Sequence, residues 1–363
     1  MKIILLVLYN IYINAKFISF EYNNLLDSLN LEIKIGTMKS ERYWELDLQN
    51  EITFTSPAYF EMNKTSTVSI VESGIMDYKN VKNVQYDVLK DTLNISDISL
   101  PNFHFYFFSK NLNSFDSIAL AYKIRDERTS LIHHLYNNKY IDHLSFALYQ
   151  RGVELGDIYF GGIDTTKVNV SNSGKCEQIK TSHKWGCKTR DVVIGDYHTK
   201  TQYDVYFQTN TIEILVPKII VKYLNDSFFY SHVKNNSCSY YPMRKSYECS
   251  CEIVPLFPHF NFAIGDYYYR IPRYYFYEEI GGKCLFLFGE NSFDEWEIGI
   301  PFFSEYAALF DYEESTITFY SRRPLEPYIA HSRFTLYILN ILSLVMLMMC
   351  IVLILTMCSS KTI

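Results

Sequence analysis

The sequence predicts a mostly β chain, long enough for two lobes, held outside the cytosol by a C-terminal membrane segment. Three observations carry this. Strand-like alternation recurs along the chain, helical stretches are few and short, and one apolar segment lies at each terminus. With 363 residues, 48% hydrophobic and 20% charged, the chain can bury one large core or two smaller ones. Its 32 Tyr and 26 Phe favour strands over helical bundles. A formal net charge of −6 and no run of like charge leave no electrostatic footprint for nucleic acid, and no such partner is expected.

The first fifteen residues, MKIILLVLYNIYINA, place a lysine ahead of an apolar run and a small residue at Ala15, as a secretory signal peptide does. Near the other end, FTLYILNILSLVMLMMCIVLILTMC (334–358) runs 25 residues without a charge, enough to cross a bilayer with some tilt. The expectation is a single-pass type I protein of the secretory pathway or cell surface, with a stalk at 326–333 and a cytoplasmic tail at 359–363. Arg333 and Lys361 lie on opposite sides of the span and do not decide its direction, which rests on the signal peptide. Cys350 and Cys358, in or beside the membrane, read as inert apolar residues before palmitoylation sites.

Between these ends lie Cys176, Cys187, Cys238, Cys249, Cys251 and Cys284, an even number suited to an oxidising compartment. Many pairings are possible, and the one expected is 176–187, 238–249 and 251–284. Five sequons, at Asn63, Asn94, Asn169, Asn225 and Asn235, predict glycosylation.

The strand-like stretches, in order, are LNLEIKIG, RYWELDL, FHFYFFS, GDIYFGGID, TQYDVYFQT, HFNFAIGDYYYRI, KCLFLFG and STITFYSR. The tyrosine-rich run 264–279 reads as sheet with one aromatic face buried. Helix is expected at 129–148, from Pro217 to Leu224 and from Pro301 to Tyr306. No Pro/Ser-rich linker or short repeat interrupts the chain. His133-His134 lacks the spacing of a zinc site, and Cys249-Ser-Cys251 is not a Cys-x-x-Cys motif. With no phosphate loop, dinucleotide fingerprint or Gly-x-Ser-x-Gly, neither metal nor cofactor is expected.

In YFQTNTIEILVP (206–217) two aromatic residues lead into a polar turn, Gln208-Thr209-Asn210-Thr211, followed by an apolar run and Pro217. In KIGTMKSERYWELD, nine residues separate Gly36-Thr37 from Asp47. Next come SFDSIALAY (114–122), GDIYFGGID (156–164), CEIVPLFPHFNFAI (251–264) and WEIGIPFFSEYAALFDYEESTITFY (296–320). Taken in order, these six stretches resemble landmarks of the pepsin-like aspartic proteases, peptidase family A1. Asp47 matches the first catalytic aspartate and Gln208 the second. Residues 296–311 follow the family's Trp-Ile-Leu-Gly-Asp…Phe-Asp stretch without a gap. The resemblance implies an all-β, bilobal double-barrel fold, with lobes at 16–166 and 167–325, and places Cys284 as the partner of Cys251.

It also sets up a chemical deficit. Family enzymes share one proton between two aspartates, so that one acts as acid and the other as base. Here the first turn reads Asp47-Leu48-Gln49-Asn50, and the second begins with an amide that does not titrate. A substitute acid from Glu51 or Glu213 would need the turn remodelled. The family's flap motif is absent from 68–88, where Tyr78 is the nearest aromatic, and Ile300 sits where the family usually has an acid. The signal leaves little room for an inhibitory prosegment. The expectation is a pseudoprotease that holds a peptide or protein in its cleft, with Tyr78, Thr209, Asn210 and Thr211 lining it. The alternative is a divergent endopeptidase using Asp47 and another acid. A third reading is a surface glycoprotein whose cleft is vestigial, filled by side chains such as Phe54 or Phe207.

Overall fold

The structure, a computed structural model, describes residues 16–328 apart from 26–27, 39–41, 59, 80, 111–115, 153–154 and 243, together with Met346. The expected signal peptide, the 334–358 segment expected to span the membrane (Met346 excepted), the expected tail, Cys350 and Cys358 lie outside the described residues. Among the described residues no helix is long and apolar enough to cross a membrane.

Among the described residues, strands form sheets of thirteen, nine and four, and those up to Glu326 make one compact unit. All eight strand-like stretches fall on strands, because alternation gives each a face to bury. Ser28–Ile35, for example, buries Leu29, Leu31, Ile33 and Ile35 and leaves Glu32 exposed. Within the tyrosine-rich run, Tyr269 and Ile271 are buried and Arg270 exposed.

One topological device appears twice and positions everything that follows. Arg42–Asp47 lies parallel to Ser117–Ala119, with Asp47 opposite Ala119, and the latter is antiparallel to Phe54–Thr55. In the second half, Tyr203–Phe207 lies parallel to Trp296–Ile298, which is antiparallel to Ile214–Val216. In both, a strand runs into a turn, returns as a short strand, and receives a third strand between them. The repeat places Asp47 and Gln208 at equivalent strand ends.

The large sheet joins the two halves. Ser145–Gln150 pairs antiparallel with Leu155–Phe160 on one side and with Tyr306–Asp311 on the other, Leu148 lying opposite both Ile158 and Ala308. This corrects the expected helix at 129–148. Only Leu131–Asn137 is α-helical, after a 3₁₀ turn that ends at Thr129, and Lys139 then takes a left-handed φ of 61°. Asn138, Tyr140, Asp142 and His143 are weak helix formers, and SFALYQ has buried faces to offer two neighbouring strands. The helix expected from Pro217 to Leu224 forms as Lys218–Leu224 and continues through a π-helical turn to Lys234. The last one spans Ile300–Glu305. The disulfides are Cys176–Cys187, Cys238–Cys249 and Cys251–Cys284, as expected.

Candidate functional site

Apolar neighbours dictate where the two turns sit. Leu46 and Phe207 are fully buried, so the residue following each is held at the edge of the core. Asp47 and Gln208 are 3% and 7% exposed. The turns are joined by Thr209. Its hydroxyl donates to the Leu46 carbonyl and accepts from the Leu48 N–H at 3.3 Å. Gly299 supports the second turn from below: a Cβ there would meet the Thr211 carbonyl oxygen, and the Ile300 N–H donates to that oxygen at 2.9 Å.

The Asp47 carboxylate accepts from the Gln49 N–H at 2.8 Å. Burial holds its carboxyl above the usual range, against the pull of Lys79, the turn N–H groups and His183. Gln208 is held quite differently. Its Nε2 donates to Glu297 Oε2, while Glu297 Oε1 takes Lys184 Nζ at 2.6 Å. The amide is thus committed to a charged network of its own half. Glu297 stands where the resembled Trp-Ile-Leu-Gly stretch has isoleucine.

Tyr78 ends the strand Ser69–Tyr78 and pairs with Val81 at the tip of a long hairpin, beside Lys79. Its hydroxyl donates to Asn50 Oδ1 at 2.8 Å, and Asn50 Nδ2 donates to Ser117 Oγ at 2.9 Å. The ring packs edge-on against Phe54. Phe54 therefore belongs to the small core under the hairpin, and Phe207 to the main core against Phe302 and Phe319.

The residue that sequence reasoning missed is Glu45. It is 8% exposed and shares Asp47's face, because side chains two apart on a strand point the same way. Burial first, then the charge of Asp47, raise its carboxyl to about 7, against Lys79 and a hydrogen bond from the Asn210 side chain. The two carboxyls titrate as a pair. Strand alternation was the available signal. The two acids considered from sequence are occupied elsewhere. Glu51 pairs with Arg125 at 3.5 Å and His183 at 3.6 Å, and Glu213 with Arg244 at 3.3 Å.

The buried acids set a pH dependence. Glu45 has a higher pKa folded than unfolded, so the unfolded chain loses that proton first as pH rises. Its contribution is complete below its ordinary carboxyl pKa and lost as pH climbs through about 7. Asp116, raised to about 7 chiefly by burial, acts in the same direction. Stability should fall between pH 5 and 7.5, and Glu45→Gln should flatten that fall by an amount on the order of 3 kcal/mol. Equal slopes for wild type and variant in urea unfolding would refute the assignment.

Comparison with known proteins agrees with this layout. Residues 38–321 match the family model for eukaryotic aspartyl protease. A solved structure, the aspartic proteinase from Irpex lacteus, superposes with a TM-score of 0.68 over 84% of this chain and 97% of that chain. At 12% identity, that likeness concerns the fold alone. No curated protein matches the sequence significantly.

Proposed function

The chain belongs to the eukaryotic aspartyl protease family, and from that premise we propose that it is a catalytically silent member that binds an extended peptide or protein segment between its lobes. The observation carrying this is the state of Gln208: an amide at the second catalytic position, donating to Glu297 rather than presenting a carboxylate. Without an acid there, the shared-proton arrangement across the two turns is lost. A cleft between β lobes can still hold a strand-like segment through main-chain hydrogen bonds. Of the residues expected to line it, Asn210 and Thr211 keep part of their surface exposed and would meet it, whereas Thr209 is fully buried between the two turns and Tyr78 is nearly so against Asn50.

A second reading draws support from Glu45. A carboxyl raised to about 7 beside a buried Asp47 is an acid–base pair assembled on one strand instead of two turns. In that case the protein is a divergent endopeptidase. We favour the silent reading because Glu45 is tied to Asn210 and both carboxyls are almost wholly buried. The two separate in one assay: a mixed peptide library incubated with the purified protein from pH 3 to 7, beside Asp47→Ala and Glu45→Gln. Saturable peptide binding without turnover is expected. Cleavage that disappears in either variant would establish the endopeptidase.

We further place residues 16–333 in the secretory lumen or outside the cell, anchored by 334–358. The signal-like N-terminus and the three disulfides support this.

A further inference from the structure

We propose that the folded protein carries N-linked glycans at Asn63, Asn169 and Asn235, and none at Asn94 or Asn225. The inference rests on the lumenal placement above, but the choice among five sequons comes from the fold. Attachment forms a bond from the Asn Nδ2 to C1 of an oligosaccharide carried on a lipid pyrophosphate. The C1–phosphate bond breaks, the lipid pyrophosphate leaves, and Nδ2 gives up one proton. Afterwards Nδ2 must carry a bulky, solvated group that the native structure leaves room for.

Three positions meet that requirement. Asn63 is exposed in the short turn Met62–Lys64. Asn235 is exposed at the residue that ends the helical run, just past Lys234. Asn169 is exposed and bonds through Oδ1 alone, accepting from the Ser171 N–H at 3.2 Å and from the Ser171 hydroxyl at 2.6 Å. That hydroxyl belongs to the sequon itself, and Nδ2 has no partner among the described residues.

Two positions do not. Asn94 is half-buried inside the strand Val81–Ile95, with Lys34 opposite on one side and Ser99 on the other. Its Nδ2 points at the Lys34 carbonyl, 3.5 Å away. Asn225 lies half-buried within the helical run from Lys218 to Lys234, and its Oδ1 is enclosed. A glycan on Asn94 would have to displace a strand neighbour, and one on Asn225 would crowd the helical run in which that residue is half-buried, so the native fold disfavours both.

The test is expression of the full chain in mammalian cells, with endoglycosidase mobility shifts on wild type and five single Asn→Gln variants. Disulfide formation is read on non-reducing gels. Three glycans are expected, one lost in each of Asn63→Gln, Asn169→Gln and Asn235→Gln, with no change for Asn94→Gln or Asn225→Gln. Peptide mapping of the wild type by mass spectrometry gives the same occupancies should a variant misfold. A sugar at Asn94 or Asn225, or a bare Asn at any of the other three in a disulfide-bonded chain, overturns the inference while leaving the lumenal placement intact. Absence of both sugars and disulfides overturns the two together.

Discussion

Gln208→Asp is expected to lower stability by about 3 kcal/mol and to produce no peptide cleavage, although it writes back the family's residue. Gln208 is the donor in a hydrogen bond to the Glu297 carboxyl, which also pairs with Lys184, and hydrogen bonds to such paired charges contribute about 1.5–3 kcal/mol. Aspartate offers no N–H and sets a second negative charge in a pocket 7% exposed. Lys184, already 2.6 Å from Glu297, cannot neutralise both. Gln208 and Glu297 therefore form one paired arrangement. The double variant Gln208→Asp with Glu297→Ile should recover most of the stability, since it removes the like charge that makes the single substitution costly. Urea unfolding of wild type, single and double variants measures this. A single variant as stable as wild type, or one that cleaves peptides, would show that Glu297 does not govern the site.

That pairing explains why the site was only partly legible in the sequence. Asp47, Gln208 and the polar turn at 209–211 could be located because they sit at strand ends in register with the six landmark stretches, and the structure brings both turns together through Thr209. Glu297 is 89 residues from Gln208 in sequence. It becomes its partner only through the parallel register that sets Phe207 opposite Ile298. No local pattern encodes such a pairing. Glu45 was within reach, since period-2 alternation puts it beside Asp47, but a buried glutamate goes against what a strand of that kind usually tolerates. The strands were legible for the opposite reason, in that alternation is local. The helix expected at 129–148 failed where a local apolar run met two open strand edges and tertiary pairing prevailed over propensity.

The largest stability loss is expected at Trp185, and it should reach the site. The side chain is fully buried. Its ring packs at 5.0 Å from Tyr122, 4.9 Å from Tyr312 and 5.2 Å from Phe310, tying residues of the first half to the C-terminal hairpin. Its N–H donates to the Leu120 carbonyl at 2.7 Å, and the Leu120 N–H in turn donates to the Asp47 carbonyl at 3.0 Å. Trp185→Ala removes the ring, opens a cavity among three aromatics and frees the strand end that supports the first turn, at a cost of about 3–5 kcal/mol. Trp185→Phe keeps most of the packing and loses only the hydrogen bond, part of which Tyr312 still makes to Leu120 at 3.2 Å. Its cost should be nearer 1–2 kcal/mol. Denaturant midpoints under non-reducing conditions separate the two. If Trp185→Ala costs less than Trp185→Phe, or if it leaves peptide binding unaltered while destabilising the fold, the indole is not the link between the lobe junction and the Asp47 turn.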